Sequence, residues 1–174
     1  MNWLIELDSF AVTKDNYLNY NLSYKKEIKS EIMDEFGNVT MLVNYETVEL
    51  NYYSKNSKIV LENKNTKEIV EIDCEKIIDF NVLETDKYFI LAYEDYQGKS
   101  NSFLYYVYIN KEQLSNEKGY LEKVKKEFKK FLLPERLELL IISDYDNNKK
   151  YLAAYDADYG YFLLTEENKM AILK

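Results

Sequence analysis

Short runs of β-branched and aromatic residues recur about every ten residues from Val39 onward, each bounded by turn residues, and this rhythm predicts an antiparallel meander. The runs are Val39–Asn44, Thr47–Tyr53, Lys58–Glu62, Lys67–Asp73, Ile77–Leu83 and Tyr88–Tyr93. Ser54-Lys55-Asn56-Ser57 and Asn63-Lys64-Asn65-Thr66 supply turn chemistry between them, because short polar side chains can satisfy nearby backbone groups. The run Phe103–Ile109 is apolar or aromatic at successive positions, which predicts a strand covered on both faces.

Upstream, the even positions read Leu18, Tyr20, Leu22, Tyr24, Lys26, Ile28, Ser30 and Ile32, while the odd positions from Asn19 to Glu31 are all polar. Period-two alternation of this length predicts a half-buried strand. A helix over 24–36 is the competing reading, with Ile28, Ile32 and Phe36 on one face, Gly37 as its end signal and a helix-favouring Lys/Glu content. The strand is preferred because Asp34-Glu35-Phe36-Gly37-Asn38 reads as a hairpin turn. Both readings turn Ile28 and Ile32 inward.

Leu114, Leu121, Val124, Phe128 and Phe131 recur at helical spacing, predicting one amphipathic helix within about 111–132. Gly119 places its regular part from near Tyr120, and Pro134 stops it. Leu137–Ser143, Tyr151–Tyr155 and Tyr161–Thr165 then predict a three-stranded meander, and Met170–Leu173 a further strand.

The expected fold is therefore mostly β (α+β): an antiparallel meander or barrel-like sheet with one amphipathic helix and a C-terminal β-hairpin unit. It is expected to form a single domain over 1–174, with the main meander and helix in 1–133 and the hairpin extension in 134–174. Two layouts fit this order of elements, a PH-like barrel closed by a helix over 39–132 and a lipocalin-like barrel with a helix on its wall. Trp3 resembles the early tryptophan of lipocalins, but no Gly-x-Trp accompanies it.

The residue inventory narrows the chemistry. The chain has 18 tyrosines, one cysteine and no histidine, which excludes histidine-dependent triads and His-ligated zinc. Cys74 sits between Asp73 and Glu75, whose charges disfavour a thiolate. The four glycines, Gly37, Gly98, Gly119 and Gly160, are too scattered for a phosphate loop. Paired carboxylates could serve a hydrolase, yet no spacing singles out a pair among the 31 acids. Asp144-x-Asp146-x-Asn148 and Asp156-x-Asp158-x-Gly160 resemble parts of a calcium loop, but Lys149 and Tyr161 stand where that loop needs glycine. No metal or cofactor is expected.

Net charge is −8, and Arg136 is the only arginine. Guanidinium forks carry much of specific nucleic-acid readout, so direct nucleic-acid binding is not expected. Residues 111–132 hold seven lysines and four glutamates, a local +3 that leaves −11 for the remainder. Lone Cys74 and the lack of a basic, apolar leader at Met1–Asp8 point to the cytoplasm, and no run is long enough to insert in a membrane.

These features lead to the expectation of a small, acidic, non-enzymatic binding protein that occludes a basic surface of a partner. Immunity proteins and phage anti-defence inhibitors of nucleases or toxins have that character. The expected contacts are Asp144, Tyr145, Asp146, Tyr155, Asp156, Asp158, Tyr159 and Tyr161, since tyrosine gives large contact area at low entropic cost and aspartate meets basic groups. A small-ligand-binding β-barrel, a PH-like adaptor and a carboxylate-dependent hydrolase are the alternatives.

Overall fold

Each run marked as β in the sequence overlaps a strand in the computed structural model, which describes residues 3–6, 18–98, 101–133, 138–144, 148–156, 160–166 and 170–172. In chain order these are β1 (Trp3–Glu6), β2 (Leu18–Met33), β3 (Val39–Lys55), β4 (Lys58–Asn63), β5 (Ile69–Asp73), β6 (Ile77–Glu84), β7 (Tyr88–Gly98) and β8 (Asn101–Asn110). Helices α1 (Lys111–Asn116) and α2 (Tyr120–Glu127) follow. The chain then returns to strands β9 (Lys129–Leu133), β10 (Glu138–Asp144), β11 (Lys149–Asp156), β12 (Gly160–Leu164) and β13 (Met170–Ile172).

The strands build three antiparallel sheets, ordered β2-β3-β4-β5, β6-β7-β8-β9 and β1-β10-β11-β12-β13. The meander is thus present and the barrel is not. Among the described residues no strand of one sheet pairs with another sheet, so neither the lipocalin-like nor the PH-like closure forms. The physical reason lies in β7 and β8, which are apolar on both faces and must be covered from two sides. Phe89, Leu91, Val107 and Ile109 face a core shared with the first sheet and the helices, which contribute Leu50, Tyr52, Leu61, Leu114, Leu121 and Val124. Ile90, Ala92, Leu104 and Tyr106 face the other way and pack with Leu152, Ala154 and Leu164 of the third sheet.

The single helix expected over 111–132 is two short ones. Asn110 caps α1, accepting from the Gln113 N–H at 3.0 Å, and the chain breaks at Gly119, whose φ of +75° suits glycine. Glu68 accepts the Leu121 N–H at 3.0 Å, placing a carboxylate at the start of α2. The helix ends at Glu127 rather than at Pro134, because Lys129–Leu133 pairs with β8 and covers an edge that would otherwise be exposed. Phe128 and Phe131 therefore share no helical stripe: Phe128 joins the first core, while Phe131 packs in the second, its ring stacked on Tyr106 at 5.8 Å.

The strand reading of 24–36 holds, but the inward direction of Ile28 and Ile32 does not. They are 41% and 51% exposed, because β2 and β3 run on beyond the body as a two-stranded arm.

Candidate interaction surface

The arm is rooted where alternation stops producing burial. Tyr24 and Val48 are the last pair packed in the core. Just outside them the Tyr24 hydroxyl donates to the Lys111 carbonyl and the Lys26 ammonium donates to Asn116 Oδ1, so α1 braces the root. On the other side Asn65 imitates a strand. It accepts the Glu49 N–H at 2.9 Å and donates to the Thr47 carbonyl at 2.8 Å, and the Lys64 N–H donates to the Glu49 carbonyl at 3.0 Å. Beyond Thr47, among the described residues, only β2 accompanies β3, up to the Met33–Val39 pair. At about 3.4 Å per residue this part of the ribbon reaches roughly 25 Å from the body.

The turn at its end is built by Asp34. Its carboxylate accepts from the Phe36 N–H at 2.9 Å, the Asn38 N–H at 2.8 Å and the Asn38 side chain at 3.1 Å. Gly37, at φ +81°, closes the three-residue loop between the Asp34–Asn38 pair. The backbone hydrogen bond from Asn38, with smaller contributions from its side chain and the Phe36 N–H, holds the Asp34 carboxyl below its ordinary range. A depressed folded value means that the carboxylate supports the turn above the ordinary aspartate pKa near 4, and that the support is lost as pH falls through the folded value. Acidification is thus expected to shift the Phe36 and Asn38 amide resonances, while core amides such as Leu91 hold. Unchanged tip resonances would contradict this role for Asp34.

The tip and the β3 strand of the arm display large apolar side chains. Phe36 is 82% exposed, Met33 69% and Tyr45 65%, and Val39, Met41, Leu42 and Val43 are also exposed. Exposed apolar clusters on a soluble surface mark contact sites more often than isolated residues do. Glu31, Asp34 and Glu35 surround this tip with negative charge.

The expected Tyr/Asp contacts fall in two places. Tyr155 and Tyr161 are cross-strand partners with ring centroids 4.8 Å apart, both half-buried beside Ile142 and Ala153, and Asp156 follows opposite Gly160. Asp144 pairs with Lys149 at the opposite end of β11, roughly 23 Å along the strand, so it does not converge with Asp156. Tyr145, Asp146, Asp158 and Tyr159 lie outside the described residues, as do the central positions of both calcium-like loops. Among the described residues no group of three or more acids or cysteine is placed to hold a metal.

Other chemistry finds little support in the geometry. Burial, with Asp95 and Asp73 adding to it, pushes the Cys74 thiol up to about 12, which leaves it unreactive. Buried Glu94 accepts from the Ser102 hydroxyl at 2.7 Å, and neighbouring Asp95 points to the opposite face of β7, so these acids do not face each other. An open cleft of about 640 Å³ carries Tyr88, Tyr108 and Glu166, and these three side chains are engaged in hydrogen bonds that hold the fold. Tyr88 donates to Glu166 at 2.5 Å, Tyr108 to the Leu164 carbonyl at 2.7 Å and Tyr106 to the Thr165 carbonyl at 2.8 Å, tying the end of β12 to the middle sheet. Lys129 caps this tyrosine cluster, 5.2 Å from the Tyr106 ring centroid.

The sequence reading missed the arm as a surface. The sequence splits this stretch into two runs, Val39–Asn44 and Thr47–Tyr53, whereas Val39–Lys55 is one continuous strand of 17 residues beside the 16 of β2. No family model matches the chain, and no curated protein or solved structure does either. Among the described residues no helix is long and apolar enough to cross a membrane.

Proposed function

We propose that this is a small acidic binding protein that acts by contact rather than catalysis, laying its arm against a basic protein and occluding that surface. The exposed apolar arm is the observation that carries the reading. Phe36 and Met33 form an apolar probe edged by Glu31, Asp34 and Glu35, which complements an apolar pocket rimmed by lysine and arginine. The overall charge of −8 favours the same class of partner. An inhibitor or immunity-type protein acting in the cytoplasm on a nuclease or toxin of bacterial or phage origin has this design. The Tyr155–Tyr161 pair with Asp156 offers a second contact.

The test is capture of a partner from native cells, followed by affinity measurement. Phe36→Ser combined with Met33→Ser is expected to weaken the complex at least about tenfold, as removal of aromatic anchors does. Raising salt is expected to weaken the wild-type complex steeply. A complex indifferent to both would count against the reading. The paired serine substitutions lie outside the core, so circular dichroism is expected to be unchanged.

A further inference from the structure

The faces of the arm and its edges are separate surfaces, and the edges differ. Along β3 the outer groups of Thr47 and Glu49 are the ones taken by Asn65 and Lys64. Backbone groups alternate in direction along a strand, so the outer edge continues through Tyr45, Val43, Met41 and Val39. The intervening even positions bond to β2, in phase with the Asp34–Asn38 pair at the turn. No described strand pairs with that outer edge beyond Leu50. From Val39 to Tyr45 it carries no charge, whereas β2 sets Lys25, Glu27, Lys29 and Glu31 along its own outer edge. Charged residues are the usual guard on an open edge, and here one edge has them and the other does not.

We infer that the unguarded β3 edge pairs with the same edge of a second copy of this chain, forming a two-fold β2-β3-β3-β2 sheet. The register follows from the available groups. Antiparallel pairing that uses all four outward residues sets Val39 opposite Tyr45 and Met41 opposite Val43 of the second copy, with the two-fold axis between the two Leu42 residues. Every such pair is apolar, and Glu46 meets Asn38 rather than another acid. The pairing satisfies the outward N–H and C=O groups of Val39, Met41, Val43 and Tyr45 in both copies. Edge pairing leaves both faces of the enlarged sheet open, so it stands independently of the proposed basic partner.

The test is sedimentation of the purified full chain combined with directed cross-linking. The wild-type protein is expected to dimerise with concentration. Met41→Lys with Val43→Lys is expected to abolish the dimer, and so is Met41→Glu with Val43→Glu, because each sets like charges opposite one another. Mixing the two variants is expected to restore it. In a Cys74→Ser background, Leu42→Cys is expected to form an intermolecular disulfide readily, since directly opposed non-hydrogen-bonded residues lie about 4.5 Å apart between Cα atoms. Ile28→Cys, on β2, is expected not to. A wild-type monomer at all concentrations, failure of the mixed variants to reassociate, or cross-linking at 28 in place of 42 would each overturn the inference. An edge that binds only a foreign strand would appear as the first of these.

Discussion

Replacing Tyr52 with alanine is expected to cost about 3–5 kcal/mol, the range for a large buried aromatic. Tyr52 is fully buried, its ring stacks on Phe80 at 4.0 Å, and its hydroxyl donates to the Ala92 carbonyl at 3.2 Å. It therefore bridges the first and middle sheets by packing and by hydrogen bond together. Burial, with Tyr93, Tyr20 and other neighbours adding to it, holds the hydroxyl protonated well above the ordinary tyrosine range, so the donor is retained. Natural domains hold only about 5–15 kcal/mol, so the variant gives up a large share of the total, and melting is expected to fall by about 10 °C. Tyr52→Phe keeps the stack and loses the donor, for about 1 kcal/mol. Urea unfolding of both variants checks the pair. Equal losses would mean that the ring contributes nothing beyond its hydroxyl.

Asp95→Ala is expected to cost about 2–3 kcal/mol, reflecting backbone donors left without an acceptor. The Asp95 carboxylate is buried and accepts the Lys76 N–H at 2.8 Å, the Glu75 N–H at 3.0 and 3.1 Å, and the Gln97 side chain at 2.8 Å. It thus fastens the link between β5 and β6 onto β7, where the Tyr96 N–H also donates to the Lys76 carbonyl at 2.8 Å. Burial pushes its pKa up while the backbone donors pull it down, so its position is a compromise between desolvation and hydrogen bonding. Asp95→Asn retains an acceptor and is expected to recover at least half of the loss. Denaturant melts of the two variants separate hydrogen bonding from charge, and identical melts would show that the backbone donors find other partners.

Strand positions were legible in the sequence because period-two patterning and turn chemistry are local, and the apolar Phe103–Ile109 run was rightly expected to be covered on both sides. Closure was not legible, since nothing local distinguishes a sheet that curls shut from one that accepts a second sheet on its far face. The helix failed at Phe128 and Phe131, three residues apart and so compatible with one stripe, because pairing with β8 overrode propensity after Glu127. The arm failed for a related reason: Ile28 and Ile32 alternate like core residues, and alternation reports a shared face without saying what lies opposite it. In the Tyr/Asp set the order of strands sets Tyr155 and Tyr161 on either side of one turn, and it already separates Asp144, at the end of β10 opposite Lys149, from Asp156 at the far end of β11.

The order of assembly follows from one pairing. Within β2 to β5, and within β6 to β9, consecutive strands pair with each other, so both sheets can close progressively as the polypeptide is made. Strand β1 cannot: Trp3 pairs with Asp144, with β2 to β9 lying between them in the chain. The first of the described strands in chain order is therefore among the last of them to be placed, and the third sheet stays incomplete until β10 has emerged. Through that interval the apolar underside of the middle sheet, from Ile90 to Tyr106, is exposed to other nascent chains.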